Sequence, residues 1–509
     1  MDNEIDWKQN WFADDSSCIA TLRAALEWLK LLVKEGPKFG YFPEPEKSYL
    51  VVHPSQVEKA KQMFMDFQVN VVTGHRLLGG FIGSFDEMQK WIYKKVTDWA
   101  TSIDCLSKAA VYEPHLVNVS LTRSLQNEWN YVQRVISDVD NPFALLKSSL
   151  EESFLPALFG ADVETTETPL MMASAKNGGL GIRNPVLSAA LSYQSSFEGT
   201  KELSNSIVKG TFFDLAAHRL QMKTSSKICR EQMNKLELNE VENCSSLLPQ
   251  NRQRTLNRIR NGNCSTWLSM MPTHENHFLM SSDVFRDSIA LRYGRTPIKM
   301  HGFCDGCSQA FDVSHALDCK MGGLVTARHN ESRDLNIDLI QQTGLTQTVR
   351  EPILKEPDTS GKGGLRVDWG VRGFWEFQRE ALFDICILNA DAPSYLSSNL
   401  ESLFDAARQR KKNKYGSAAE QRKATFTPVI ATCEAIFDHE AEVYLKKISA
   451  LLSSKWETPY SQIHGWVKAR MQVCILRSVS LCIRGSRTKW RGAGIEHGAQ
   501  ISSFLGSSY

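Results

Sequence analysis

Nowhere in these 509 residues does an apolar run reach the roughly 18 residues that a membrane-spanning helix needs. Nor is there an excess of charge of one sign: Lys+Arg number 59 and Asp+Glu 57, a net charge of +2. A nucleic-acid partner must therefore be met by local basic segments, not by the field of the whole chain. The first ten residues, MDNEIDWKQN, are polar and acidic and do not resemble a secretory signal. Together these absences predict a nuclear or cytoplasmic protein without a membrane partner. Cysteine is scarce, at 12 residues, and only three of them cluster, together with a histidine. That excludes a disulfide scaffold and points to a reducing compartment with one metal site. Internal repeats and long low-complexity tracts are missing too. What remains is an ordinary globular composition, 42% hydrophobic and 23% charged, long enough for about three or four domains.

The patterning predicts a multidomain α+β chain. Asp14 and Asp15 stand on a turn, and residues 18–35 have the apolar spacing of an amphipathic helix. A Gly/Pro-rich break leads to the strand-like SYLVV, a short helix over 55–68, and the hairpin-like VNVVTGHRLLGGFIGS. Residues 85–160 and 186–300 read as mainly helical, separated by the turn-rich KNGGLGIRNP. A compact CDGC…H…C element spans 304–319, and a helix begins at 324. Two strand-like runs, LRVDWGV and ALFDICILN, precede helices over 401–424, 432–453 and 461–484.

Three constellations carry chemistry. Adjacent acids such as Asp14 and Asp15 repel each other, a cost that a divalent cation relieves; the plain alternative is an exposed turn or a helix start. Cys304 and Cys307 form a C-x2-C knuckle, with His315 and Cys319 downstream. Three thiolates and an imidazole suit four-coordinate Zn²⁺, with His329 as a substitute ligand. Asp368 and Asp384 lie on the two strand-like runs. If those strands are antiparallel, both carboxylates reach one end of the sheet, where they can hold Mg²⁺. A lysine would then stabilise charge or orient the water, and Lys411 and Lys414, three apart on one helical face, are the candidates. The plain alternative is a pair of surface acids beside a solvated basic helix.

FADD, a helix, GPKFGYFPEPEKSYLVV and GHRLLGGFIGS occur in an order that resembles the end of a reverse-transcriptase palm in non-LTR retrotransposon proteins. SLQNEWNYVQRV, LPALFG and GGLGIRNP resemble the thumb and post-thumb region of those proteins, so the likeness covers roughly residues 7–195. The resemblance implies a polymerase remnant at Asp14, Asp15 and Lys47. The family's first catalytic aspartate has no counterpart, since Asp2, Glu4 and Asp6 stand too close to the pair. The expectation is a truncated polymerase that does not extend a primer.

Residues 301–487 resemble the C-terminal part of the same proteins, where a CCHC knuckle precedes a restriction-like endonuclease of the PD-(D/E)XK type. The likeness rests on CDGCSQAFDVSHALDCKMGGLVTARHNESRD, RVDWGVRGFW, QREALFDICILNADAPSY, KKNKY and RGSR. It implies metal-binding aspartates at Asp368 and Asp384, a displaced catalytic lysine at Lys411 with Lys414 beyond it, and a first-helix acid at Glu331. Val367 stands where the motif has proline, and Cys386 where a standard core has lysine; the second departure fits a lysine moved onto the helix. The implied organisation is a palm remnant (1–84), helical thumb (85–200), helical linker (201–300), zinc knuckle (301–323), restriction-like endonuclease with an α/β core (324–490) and tail (491–509).

The implied activity is Mg²⁺-dependent nicking of a DNA target site for target-primed reverse transcription, with element RNA as a second partner. The alternatives are a catalytically dead nucleic-acid-binding remnant and a full reverse transcriptase with a misplaced start. Three basic segments are candidates for phosphate contact. One holds Arg252, Arg254, Arg258 and Arg260, a second runs from Arg408 to Lys414, and the third holds Arg484, Arg487, Lys489 and Arg491 around Trp490.

Overall fold

A computed structural model describes residues 7–12, 14–137, 141–357 and 363–488. Lys489, Trp490 and Arg491, and the acids Asp2, Glu4 and Asp6, lie outside the described residues. The fold is mixed α+β, mostly helical with small sheets. Among the described residues no helix is long and apolar enough to cross a membrane. The chain divides into two compact units, one comprising 1–101, 128–146 and 185–232, the other 102–127, 147–184 and 233–509.

The first unit begins with a two-stranded antiparallel hairpin, β1 (Trp7–Phe12) and β2 (Asp15–Ala20). Phe12 pairs with Asp15, so the strands join through a tight turn that includes Asp14. Helix α1 (Leu22–Glu35) comes next, its start set by Thr21, whose hydroxyl accepts from Ala24 N at 3.3 Å. The helix predicted over 18–35 therefore begins four residues later. Cys18 and Ile19 extend the strand because the Thr21 cap fixes the first turn after them. Further on lie a second hairpin, Gly74–Leu77 with Gly80–Gly83, and two long helices, α2 (Pro185–Lys209) and α3 (Leu215–Ser246). The C-terminal part of α3 belongs to the second unit.

The second unit includes α4 (Gln250–Asn261), the short α5 (Val313–Asp318) and α6 (Leu324–Gln342). Its sheet has four strands: β3 (Thr348–Arg350), β4 (Trp369–Arg372), β5 (Glu380–Leu388) and β6 (Thr425–Thr432), in the order β6-β5-β4-β3. β3, β4 and β5 are antiparallel neighbours. β6 runs parallel to β5, and the crossover between them is α7 (Leu400–Gln421), a βαβ unit of the usual kind. Helices α8 (His439–Trp456) and α9 (Tyr460–Arg484) complete the unit.

The antiparallel arrangement expected of the two runs holding Asp368 and Asp384 is present. β6 is a strand that periodicity missed: its TFTPVIAT fills the interval between two predicted helices and overlaps the first residue of the second. The helix start expected at 432 is corrected with it, since α8 begins at His439, after Asp438 accepts from Ala441 N at 2.8 Å. The core is built on β5. Trp369 stacks on Phe383 at 5.4 Å, and Tyr444 of α8 meets Phe383 at 5.1 Å. All three rings are fully buried, and each large apolar side chain so buried contributes about 1.5–3 kcal/mol.

Candidate functional site

Cys304, Cys307, His315 and Cys319 come together with ligand atoms all within 4.8 Å of one another. The backbone makes this possible in a short span. Cys304 N donates to Gln309 O at 2.8 Å and Ser308 N to Cys304 O at 2.8 Å, folding the knuckle tightly. Asp312 caps α5 by accepting from His315 N at 2.7 Å. His315 thus enters the first turn, and Cys319 ends the helix, its N–H donating to His315 O at 2.9 Å. Cys307 Sγ lies 3.3 Å from His315 Nε2, and Cys304 Sγ lies 4.0 Å from Cys319 Sγ. Burial pushes the Cys304 thiol up, but the N–H groups of Cys307 and Gly306 and the His315 ring outweigh it and bring it down to about 6. Such a donor set could hold a metal such as zinc. The knuckle is fused to the sheet: Asn389, at the end of β5, donates to Asp318 Oδ2 at 3.1 Å, and Ala316 and Leu317 join the main core.

The second site lies where β4 and β5 pair. Asp368 N donates to Phe383 O at 3.1 Å and Trp369 pairs with Phe383, which sets Asp368 beside Asp384. Asp368 Oδ2 accepts from Ile385 N at 2.6 Å, and Oδ1 accepts from His329 Nε2 at 2.9 Å. Asp384 is 3% exposed. Burial, and next the neighbouring Asp368, push its carboxyl up, against the opposing pull of Lys411 and Tyr415. Lys411, projecting from α7, pairs with Asp384 Oδ2. Lys414 donates to the Tyr415 hydroxyl at 2.8 Å and sits 4.6 Å from the centre of its ring. Burial, then the charge of Asp384, push the Tyr415 phenol up as well.

Glu331 is a correction to the predicted site. Two residues beyond His329 on α6, it points about 200° away at 100° per residue. Half-buried, its carboxyl is pushed up by burial and by Asp334, and Arg477 of α9 opposes that rise. The α6 residue that meets the aspartates is His329, which the sequence suggested only as a spare zinc ligand. Tyr415 was also missed, although it completes the KKNKY run. Its tyrosine directly follows Lys414, the one signal available beforehand.

Five of the six arginines proposed for phosphate contact are a second correction, because they serve internal contacts. Arg252 makes a bidentate pair with Glu167 at 2.6 and 2.7 Å. Arg254 donates to the carbonyls of Ala390, Tyr395, Leu396 and Ser398. Arg258, 6% exposed, pairs with Asp391 and, at 2.7 Å, with Glu434. Arg260 lies 3.5 Å from Glu242. Arg484 clasps the buried Asp287, and Arg487, 2% exposed, donates to Ala316 O and Cys482 O over the Phe311 ring. A guanidinium with several buried acceptors costs too much desolvation to leave them for a phosphate. The acids that engage these arginines come from elsewhere in the chain, which explains why a segment free of acids misled.

Asp14 and Asp15 are exposed at the hairpin turn. Lys47 ends a short 3-10 helix, Pro45–Lys47, and is paired with Glu44. No contact brings Lys47 to the aspartates among the described residues. No protein-family model matches the chain, and no curated protein matches it.

Proposed function

We propose that the second unit is a metal-dependent DNA endonuclease and that the chain is a retroelement protein of the non-LTR type, with a polymerase-derived first unit. The observation that carries the reading is the buried Asp384, set beside Asp368 at one place in a mixed sheet and met there by a lysine from the crossover helix. The element order α6-β3-β4-β5-α7-β6 supports a restriction-like core. The knuckle is read as a structural Zn²⁺ site, where the cation would displace the thiol protons and offset the charge of the thiolates.

Mg²⁺ fits the aspartate pair on the evidence of the donor set. Burial, and then the second carboxylate, push Asp384 up, a cost a cation relieves, and Mg²⁺ is commonly held by one or two carboxylates together with substrate phosphate. When bound, the ion stabilises phosphoryl charge and supplies a water of lowered pKa. The rest falls to the chain. Ile385 N–H and His329 hold both oxygens of Asp368 in one orientation. Lys411 holds a positive charge beside Asp384, where it would stabilise the charge of a substrate phosphate. Tyr415 supports Asp384, and Lys414 supports Tyr415. With the aspartates taking metal, DNA would be nicked to leave a 3′-hydroxyl that primes reverse transcription of element RNA.

The test is single-turnover nicking of supercoiled plasmid in Mg²⁺ by wild type, Asp368→Ala and Asp384→Asn. Wild type should nick and both variants should be inert while still binding DNA. Equal nicking by Asp384→Asn removes the assignment. An inert wild type with zinc bound and its fold intact replaces it with a nucleic-acid-binding remnant.

A further inference from the structure

Within the first unit, α2 and the N-terminal part of α3 pack as an antiparallel pair. A Cβ on Gly199 would lie 2.9 Å from Ser225 Oγ and 3.7 Å from Met222 Cα, and Cys229 Sγ reaches Leu191 O at 3.5 Å. Met222, Ser225 and Cys229 therefore mark the inward face of α3. At about 100° per residue, Arg219, Lys223, Lys227 and Arg230 fall on one stripe roughly 80° wide, centred about 130° from that face.

All four side chains are exposed. Arg219 and Lys223 have no ion-pair or hydrogen-bond partner among the described residues. Lys227 lies 3.9 Å from Glu231, with both side chains mostly in solvent, a pair worth little. Arg230 donates only to Ser226 O of its own helix, at 3.2 Å. This stripe is the converse of the five inward arginines, Arg252, Arg254, Arg258, Arg484 and Arg487, since its charge has not been spent on the fold.

Two other occupants fit poorly. A membrane surface needs an apolar side opposite the charge, whereas the exposed Leu220 and Ile228 stand apart, roughly 100° and 180° from Arg219, and form no such side. A single strand is held by interleaved aromatic rings, and the stripe has none. Its cations recur at i, i+4 and i+8, a rise of about 6 Å each time on a rigid rod, which suits a backbone of regular spacing. We propose that the outward stripe of α3, Arg219, Lys223, Lys227 and Arg230, binds the phosphate backbone of duplex DNA without reading bases. The choice of DNA over duplex RNA rests on the nuclease reading; the phosphate contact does not.

The experiment measures binding of the full chain to a short duplex of arbitrary sequence by fluorescence anisotropy, without Mg²⁺, across a salt series. Lys223→Gln with Lys227→Gln should flatten the slope of log K against log salt by about 1.8, the loss of two phosphate contacts. Arg219→Gln with Arg230→Gln should do the same, with helix content by circular dichroism unchanged. Unchanged slopes in both pairs overturn the proposal. So does a loss confined to duplex RNA, to single-stranded RNA or to phosphatidylserine vesicles. Wild type that binds with the expected slope yet never nicks in Mg²⁺ removes the nuclease reading and leaves this surface standing; nicking with unchanged slopes does the reverse.

Discussion

Asp14–Asp15 and Asp368–Asp384 are both aspartate pairs brought together by a β-hairpin, and their surroundings are opposite. The first pair is adjacent in sequence, exposed at a turn, on a sheet of two strands. The second is separated by 16 positions and joined only by pairing of β4 with β5 in a covered sheet. There Asp384 meets Lys411 and Tyr415 and is pushed up by burial and then by its neighbour, while Asp368 is held by His329 and a backbone N–H. Adjacency along the chain makes a motif easy to see. Chemistry needs a place where carboxylates are held by fixed partners out of solvent, and the second pair has such a place.

The sharpest way to break this comparison is to neutralise both pairs. Asp384→Asn should abolish Mg²⁺-dependent nicking, whereas Asp14→Asn with Asp15→Asn should leave its rate unchanged. A rate lost in the second variant would mean that the exposed pair belongs to the working site. Lys411→Ala should slow nicking by about 10²–10³, the usual cost of one preorganised electrostatic group, and Lys414→Ala by less, since it acts through Tyr415. Single-turnover rates decide the order, and a larger loss at Lys414 would reverse the two roles.

The knuckle provides a different check, because it is joined to the C-terminal end of β5, the strand that carries Asp384. Purified chain should contain near-stoichiometric zinc, measured by elemental analysis, and Cys307→Ser should lose the metal and loosen residues 304–319 to hydrogen exchange. Full protection without metal would show that the fold does not need it.

The smallest effect concerns pH. A carboxyl whose folded pKa is raised stabilises the fold most when protonated, below its unfolded value near 3.9. That contribution is lost as pH rises through the folded value. In the absence of divalent metal, Asp384→Asn should therefore unfold at higher temperature than wild type at neutral pH, with the gap closing in acid. Asp15→Asn should stay within about 0.5 kcal/mol of wild type throughout, as exposed substitutions do. Thermal melts from pH 4 to 8 would test both, and a neutral-pH loss of stability in Asp384→Asn would mean that the Lys411 pair outweighs burial.

Much of the local structure was legible because its signals are local. The turn at Asp14, the strand-like runs around 365–388, the helix from 324 and the last helix arise from turn residues and apolar spacing. The knuckle was legible for the same reason, since C-x2-C and a capped helix gather four ligands within 16 residues. β6 was not: TFTPVIAT shows no clean alternation and carries Pro428, which argues against a strand until the fold places it at the sheet edge.

By itself, then, the sequence determined which residues could act: the three cysteines and His315, the two aspartates on paired strands, and the lysines on one helical face. Only the tertiary structure decided which of them meet. It brought His329, not Glu331, to Asp368, because a helix turns successive side chains by about 100° and packing chooses which one faces the sheet. It also turned five apparently free arginines inward, toward carboxylates and carbonyls distant in sequence, and left the row on α3 facing water. Whether a charge is available to a partner depends on what the fold sets within a few ångströms of it, and the order of residues along a chain does not carry that distance.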